Sequence, residues 1–325
     1  MPSCNVSSKL FLDALNRENF SGRPPVWIMR QAGRYQPSYQ ALRKKHRLLN
    51  LFMTPELIQK VTHLPIDEFG MDAAILFSDI LLPVMPLGYH LDYVDGKGPV
   101  VTPGGTKKTL ECVGEGIKLL KKSLNVPLIG FAGGPFTVAT YIYGGIEKAK
   151  GELYKNPKEF HSILRDLTDV TIDYLNMQID SGVDALQLFD SWAGMLELSA
   201  LQEFALPYAK EILTAVHAKN KKMIYFSRNT SIFAREIAAL GFDGISVDWS
   251  RPLSELREML GPNITLQGNL DPRILQADLA TVAHRTQKLL DEMKNDPAYI
   301  FNLGHGVFPD TPPESVAAIV STVQS

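Results

Sequence analysis

About eight short apolar runs alternating with helical patterns along 325 residues, with a Gly-X-Asp signature recurring ahead of three of them, predict an α/β fold. The expected form is a single (β/α)8 (TIM) barrel over residues 1–325, with an N-terminal helix and a small hairpin insertion after the second strand. An open doubly wound sheet would carry a Gly-rich dinucleotide turn after an early strand, and none is present.

In chain order, Ser7 to Leu15 reads as a short amphipathic helix, and Pro24 and Pro25 end the approach to the first strand, Val26 to Met29. Tyr39 to Leu51 is basic and helical in pattern. Thr54-Pro55 is a helix start, with threonine as N-cap and proline at the first helical position. Then the signature appears: Gly70-Met71-Asp72 leads into Ile75-Leu76-Phe77 and ends at Asp79. Gly182-Val183-Asp184 leads into Leu186 to Phe189 and ends at Asp190; Gly241-Phe242-Asp243 leads into Ile245 to Val247 and ends at Asp248. Each glycine suits the left-handed position after a helix. Leu128 to Ala132, Met223 to Phe226, Thr265 to Gly268 and Tyr299 to Leu303 complete the strands. Tyr89 to Val101, with Gly96 and Gly98, is the inserted hairpin. The clearest helix runs from Pro157 to Ile179, capped by Asn156, with Phe160, Ile163, Leu164, Leu167, Val170 and Tyr174 on one face. Gly104-Gly105-Thr106-Lys107-Lys108 lacks the Gly-Lys-Ser/Thr end of a phosphate loop and is read as a polar turn.

Composition narrows the function. Lys+Arg 33 against Asp+Glu 35 leaves a net charge of −2, which gives no general attraction to nucleic acid or anionic membranes. The two cysteines, Cys4 and Cys112, offer no zinc spacing and fit a reducing cytoplasm. No basic stretch followed by a long apolar run opens the chain, so a secretory signal is not expected. The greasiest segment, Ala73 to Leu91, contains Asp79, Pro83 and Pro86, unlike a membrane span.

In a barrel the residues just past the strand C-termini face one mouth. Strand one delivers Arg30, Gln31 and Arg34 there, within PVWIMRQAGRY; strand two delivers Ser78 and Asp79. Thr140 and Tyr141 follow strand three, then Phe189, Asp190 and Ser191, then Gln267, Asn269 and Asp271, and last His305 between Gly304 and Gly306. Guanidiniums at the mouth of a buried strand are costly to desolvate unless an anion meets them. Bound protein carboxylates would serve as well as a ligand. Asp190 and Asp248 are read as turn carboxylates. No strand-end lysine suggests a Schiff base, no nucleophile elbow appears, and the seven histidines show no paired metal spacing. What remains is an acid/base site that handles an anion without an obvious cofactor.

Five stretches resemble the uroporphyrinogen decarboxylase family: PVWIMRQAGRY at 25–35, FSDILLP at 77–83, LQLFDSWAG at 186–194, LQGNLDP at 266–272 and NLGHGVFPDTPPE at 302–314. The likeness runs in order over nearly the whole chain. It implies a single-domain barrel, usually a homodimer, that takes the carboxyl groups from the acetate arms of uroporphyrinogen to give coproporphyrinogen in porphyrin synthesis, with neither metal nor organic cofactor. Residue by residue, it places Asp79, Arg30, Arg34 and Tyr141 in catalysis. Gln31, Phe189, Ser191 and His305 join them in the substrate pocket. Two loops depart from the family pattern, Ile142-Tyr143-Gly144-Gly145 and Ser227-Arg228-Asn229-Thr230, where Arg228 offers a further anion contact.

The chemistry implied needs an electron sink, which a pyrrole becomes once its ring carbon is protonated. Asp79, held ionised by the two arginines, would stabilise that cation, and Arg30 and Arg34 would hold substrate carboxylates. Phe189 would form an apolar pocket for the departing group. An arginine-linked water, Tyr141 and His305 all stand as proton donors, and the flanking glycines of His305 suggest a loop lying close to the ligand. Two other readings compete: a zinc- and corrinoid-dependent methyltransferase of the same superfamily, and a tetrapyrrole-binding protein without activity.

Overall fold

The computed structural model describes residues 9–94 and 98–325; Cys4, Ser7 and Gly96 lie outside the described residues. Nine strands are found among those described: β1 Ala74–Ile75, β2 His90–Val94, β3 Gly98–Thr102, β4 Leu128–Gly133, β5 Ala185–Phe189, β6 Met223–Phe226, β7 Gly244–Ser246, β8 Thr265–Leu270 and β9 Tyr299–Leu303. Seven form one curled parallel sheet in the order β1-β4-β5-β6-β7-β8-β9. β2 and β3 pair antiparallel as the inserted hairpin. The apolar runs become strands because helices cover one face and the sheet's own interior the other, so β4 to β9 are buried at every residue.

The Val26 to Met29 run is not a regular strand. It makes one parallel bridge, Val26 to Phe301. Its backbone nevertheless bonds to both edges of the sheet: Phe301 N donates to the Pro25 carbonyl at 2.9 Å, and Asp72 N to the Val26 carbonyl at 2.8 Å. Its other donors go to side chains, Met29 N to Asn302 Oδ1 at 2.9 Å and Ile28 N to Gln31 Oε1 at 3.2 Å, which is why no ladder forms.

The Gly-X-Asp signature has a structural use at the start of the strands. Gly70 (φ 71) and Gly182 (φ 112) end their helices in the left-handed region. Two residues on, each aspartate accepts the first N–H of a neighbouring run: Asp72 from Val26, Asp184 from Leu128, Asp243 from Met223. A cation completes each clamp, Arg23, Lys121 and Lys222 respectively.

Several local expectations change. The basic Tyr39 to Leu51 stretch is two helices, Pro37–Arg43 and Leu48–Met53, broken where the Arg43 guanidinium turns onto the His46 carbonyl. The long helix runs Pro157–Ser181, but Asn156 does not cap it; its amide donates to Glu152 instead. The N-terminal helix is Leu10–Leu15 among the described residues. Gln267, expected at the mouth, lies in the core, accepting from Trp27 Nε1 at 2.9 Å and donating to Gln187 at 3.1 Å. Among the described residues no helix is long and apolar enough to cross a membrane.

Candidate active site

The C-terminal ends of the strands open into one cleft. Arg30 stands on its wall with φ 63, a conformation that non-glycine residues rarely adopt. Gln31 holds that turn: its N–H donates to the Ile28 carbonyl, its amide oxygen accepts Ile28 N, and its amide nitrogen donates to the Ala73 carbonyl. The Gln31 side chain is thus fully buried and bonded to backbone. It positions Arg30 rather than facing the cleft.

Asp79 follows β1 and is half-buried. Its Oδ1 accepts Leu81 N at 2.8 Å. Burial pushes its carboxyl up from the usual 3.8, opposed by the Leu81 N–H, the Tyr93 hydroxyl and Arg30. Desolvation thus outweighs Arg30, and the carboxyl lies above the usual range rather than held low by two arginines. Tyr93 reaches the site from β2, on the inserted hairpin rather than at the end of a sheet strand. Its buried hydroxyl faces Asp79 without completing a hydrogen bond of normal geometry, and burial with the Asp79 charge pushes the phenol up. Tyr174 closes the same side, its hydroxyl 2.9 Å from Ser78 Oγ.

Tyr141 is half-buried near the end of the helix Pro135–Ile142, close enough to Arg30 that burial's lowering of the guanidinium is opposed first by Tyr141 and then by Asp79. Arg30 remains open to water although burial by its surroundings lowers its guanidinium. Phe189 ends β5 and meets Phe131 and Phe226 edge-on, with ring centres 5.4 and 5.8 Å away. Phe226 in turn meets the His305 ring at 6.0 Å. These rings make an apolar floor. Ser191 is half-buried beside it, its carbonyl accepting Arg228 N.

His305 is lowered to about 4 by burial, then by the Arg30 and Arg228 charges, so its imidazole is neutral at pH 7. Its flanking glycines make room for protein rather than for a ligand. A Cβ on Gly306 would sit 2.5 Å from Arg30 Cδ, and one on Gly304 would sit 2.7 Å from the Trp249 ring. Asp190 is a capping carboxylate, accepting Thr137 N at 2.9 Å at the start of the helix Pro135–Ile142. Asp248 accepts Ser250 N and Ser231 N, as a turn carboxylate should.

One contrast orders the charges. Arg23, Arg165, Arg251, Arg257 and Arg273 each have a carboxylate partner. Among the described residues eight arginines have none, Arg17, Arg30, Arg34, Arg43, Arg47, Arg228, Arg235 and Arg285; of these, Arg34 and Arg228 act on Arg30 through space, which gathers three unpaired guanidiniums past the strand ends. Nor do any three histidine, cysteine, aspartate or glutamate side chains among the described residues gather as a metal site.

Fold and site together define an α/β enzyme in which a half-buried carboxylate, Asp79, and the unpaired Arg30 guanidinium act on one another past the strand ends, beside a group of aromatic rings. The family model described as uroporphyrinogen decarboxylase matches residues 7–325. The chain is 44% identical to the uroporphyrinogen decarboxylase of Protochlamydia amoebophila, over 98% of this chain and 93% of that one. It is 40% identical to that of Geobacter metallireducens, over 93% and 94%. The chain belongs to the uroporphyrinogen decarboxylase family. A methyltransferase from Methanosarcina mazei superposes with a TM-score of 0.80 over 98% of both chains, but at 20% identity this shows a shared fold alone.

Proposed function

We propose that this carboxy-lyase removes the four acetate carboxyl groups of uroporphyrinogen III to give coproporphyrinogen III, using the pyrrole as electron sink and no added cofactor. The observation that carries the reading is Arg30, unpaired with any protein carboxylate among the described residues, standing within reach of both the Asp79 charge and two further unpaired guanidiniums, Arg34 and Arg228. Arg30 and Arg34 take substrate carboxylates and place one acetate. Protonation of the ring carbon beside that acetate makes the pyrrole cationic. The C–C bond then breaks, its electron pair enters the ring, carbon dioxide leaves, and a second proton converts the exocyclic methylene to methyl as the ring carbon gives up the first. Each acetate thus consumes one proton. Asp79 sits by the pyrrole N–H groups; those donors and the developing cation favour its ionised form against the burial that raises it. Phe189, with Phe131 and Phe226, offers the departing carboxylate an apolar surface, where its charge is poorly solvated. Tyr141 and Ser191 contact the substrate rim, and Gln31 contributes through Arg30.

In this reading the 25–29 segment acts as the eighth stave, closing a (β/α)8 barrel as one catalytic domain. The enzyme pairs as a homodimer in the cytoplasm; exposed Met195, Ile232 and Trp249, in the loops after β5, β6 and β7, are apolar surface that a second copy would cover. Anaerobic incubation with uroporphyrinogen, after exhaustive dialysis against chelator, tests the function. Coproporphyrinogen should accumulate at the undialysed rate. No turnover, or turnover restored only by a metal, would overturn it.

His305 is neutral at working pH and holds no ready proton, so it is auxiliary here. His305→Asn should keep at least about a tenth of the parental rate, a loss of under ~1.4 kcal/mol in barrier. Complete loss of turnover with intact product binding would instead make it the proton donor.

A further inference from the structure

Arg228 opens the loop after β6, the middle strand of the seven, while Arg30 stands in the gap between the sheet's two edges. The two guanidiniums therefore reach the cleft from opposite walls, and each is felt by His305. Arg228 is firmly placed. Its N–H donates to the Ser191 carbonyl at 3.2 Å. Its own carbonyl leaves no room for a side chain at Gly194, where a Cβ would lie 1.7 Å away. Asn229 Nδ2 donates to the Gly194 carbonyl, and Thr230 Oγ1 accepts Ser227 N. The guanidinium lies 4.2 Å over the Trp192 ring, which fixes its plane without supplying an anion. Its Nε is buried with no hydrogen-bond partner among the described residues.

A rigid, flat cation without a counter-ion, facing a cleft that already holds another, calls for a carboxylate from the ligand. Of the two, Arg30 is the guanidinium felt by Asp79, so it serves the acetate that reacts, and Arg228, on the far strand, serves a group farther from the chemistry. We propose that Arg228, stacked on Trp192, is a specificity residue that binds a propionate of the macrocycle on the wall opposite Arg30. Together the two walls measure the spread of carboxylates across a tetrapyrrole. This rests on the proposed decarboxylase reading, and deepens it.

A propionate persists through all four steps, so its contact contributes equally to binding substrate, transition state and product. Arg228→Gln should raise KM for uroporphyrinogen roughly tenfold or more, and the inhibition constant of coproporphyrinogen by the same factor, with kcat within about twofold. Arg228→Lys, which keeps charge but not the planar fork, should recover part of that loss. Thermal melts of both variants establish that they are folded. Unchanged KM in folded Arg228→Gln would reduce Arg228 to a packing residue. Weakened substrate with unchanged product would place an acetate there, and a loss confined to kcat would place Arg228 in the chemistry; each overturns the proposal. A parent enzyme that leaves uroporphyrinogen untouched would instead sink the decarboxylase reading itself.

Discussion

Asp79→Asn is expected to slow first-acetate decarboxylation on the order of a thousandfold while making the protein more heat-stable. The rate effect follows from one charge acting at about 4 Å in a medium of effective dielectric about 20, roughly 4 kcal/mol, with each ~1.4 kcal/mol worth tenfold. Binding should suffer much less, because asparagine keeps the size and still accepts from Leu81 N and from a pyrrole. The stability effect has the opposite sign for a separate reason. Burial raises the folded-state carboxyl above its ordinary 3.8, so the folded protein holds that proton more tightly than the unfolded chain. As pH rises through and above 3.8 the unfolded chain ionises first, and the fold loses stability relative to a neutral side chain. The melting advantage of the variant should therefore grow as pH rises above 3.8 through the raised folded-state range and vanish as pH falls below 3.8. The same shift gives the parent an acid limb in kcat/KM above the usual aspartate range, which the variant should lack. Turnover within a few fold of the parent, or a lower melting temperature at pH 7, would remove Asp79 from the electrostatic role.

Gly306→Ala tests the site without touching any charge. The new methyl would meet Arg30 Cδ at 2.5 Å and Cγ at 2.8 Å. Gly306 is buried and those atoms lie in the middle of the Arg30 side chain, so Arg30 must leave its rotamer, and the fold loses about 1–3 kcal/mol, the usual cost of overpacking. The guanidinium, displaced by about an ångström, no longer places the acetate, and a shift of that size can cost about a hundredfold in rate. The check is kcat beside a thermal melt. Near-normal turnover in a folded variant would mean that the Arg30 position tolerates movement and does not orient the reacting group.

Strands such as Met223–Phe226 and Leu128–Gly133 were legible because apolar runs buried at every residue mark them, whereas β8, Thr265–Leu270, carries Gln267, Gly268 and Asn269 inside it and β1 shrinks to Ala74–Ile75. The 25–29 run was less so, since its partners are the Asn302 and Gln31 side chains, which hydrophobicity does not register. At the site, position was readable and orientation was not. Arg30, Asp79, Tyr141, Phe189 and His305 share the cleft, but Gln31, one residue from Arg30, turns into the core. Tyr93 escaped notice because a hairpin outside the alternating pattern carries it to Asp79. The protonation tendency of Asp79 also could not be read from neighbouring charges, because desolvation depends on how deeply the chain buries it.

The aspartate clamps at the start of the strands bear on how the chain assembles. Their bonds span 46, 56 and 20 residues, and each ties a unit to the run before it. Short spans close cheaply in entropy, so the middle of the sheet can build outward from neighbours already in place, in the order in which synthesis delivers them. The bond from Phe301 to Pro25 joins the far ends of the chain and has to wait for the last strand. Gly306, against which Arg30 packs, and His305 arrive with that same strand. A nascent chain stopped short of residue 299 would carry all three clamps but neither the Phe301–Pro25 bond nor the Gly306 contact, so Arg30 is seated only once β9 is in place.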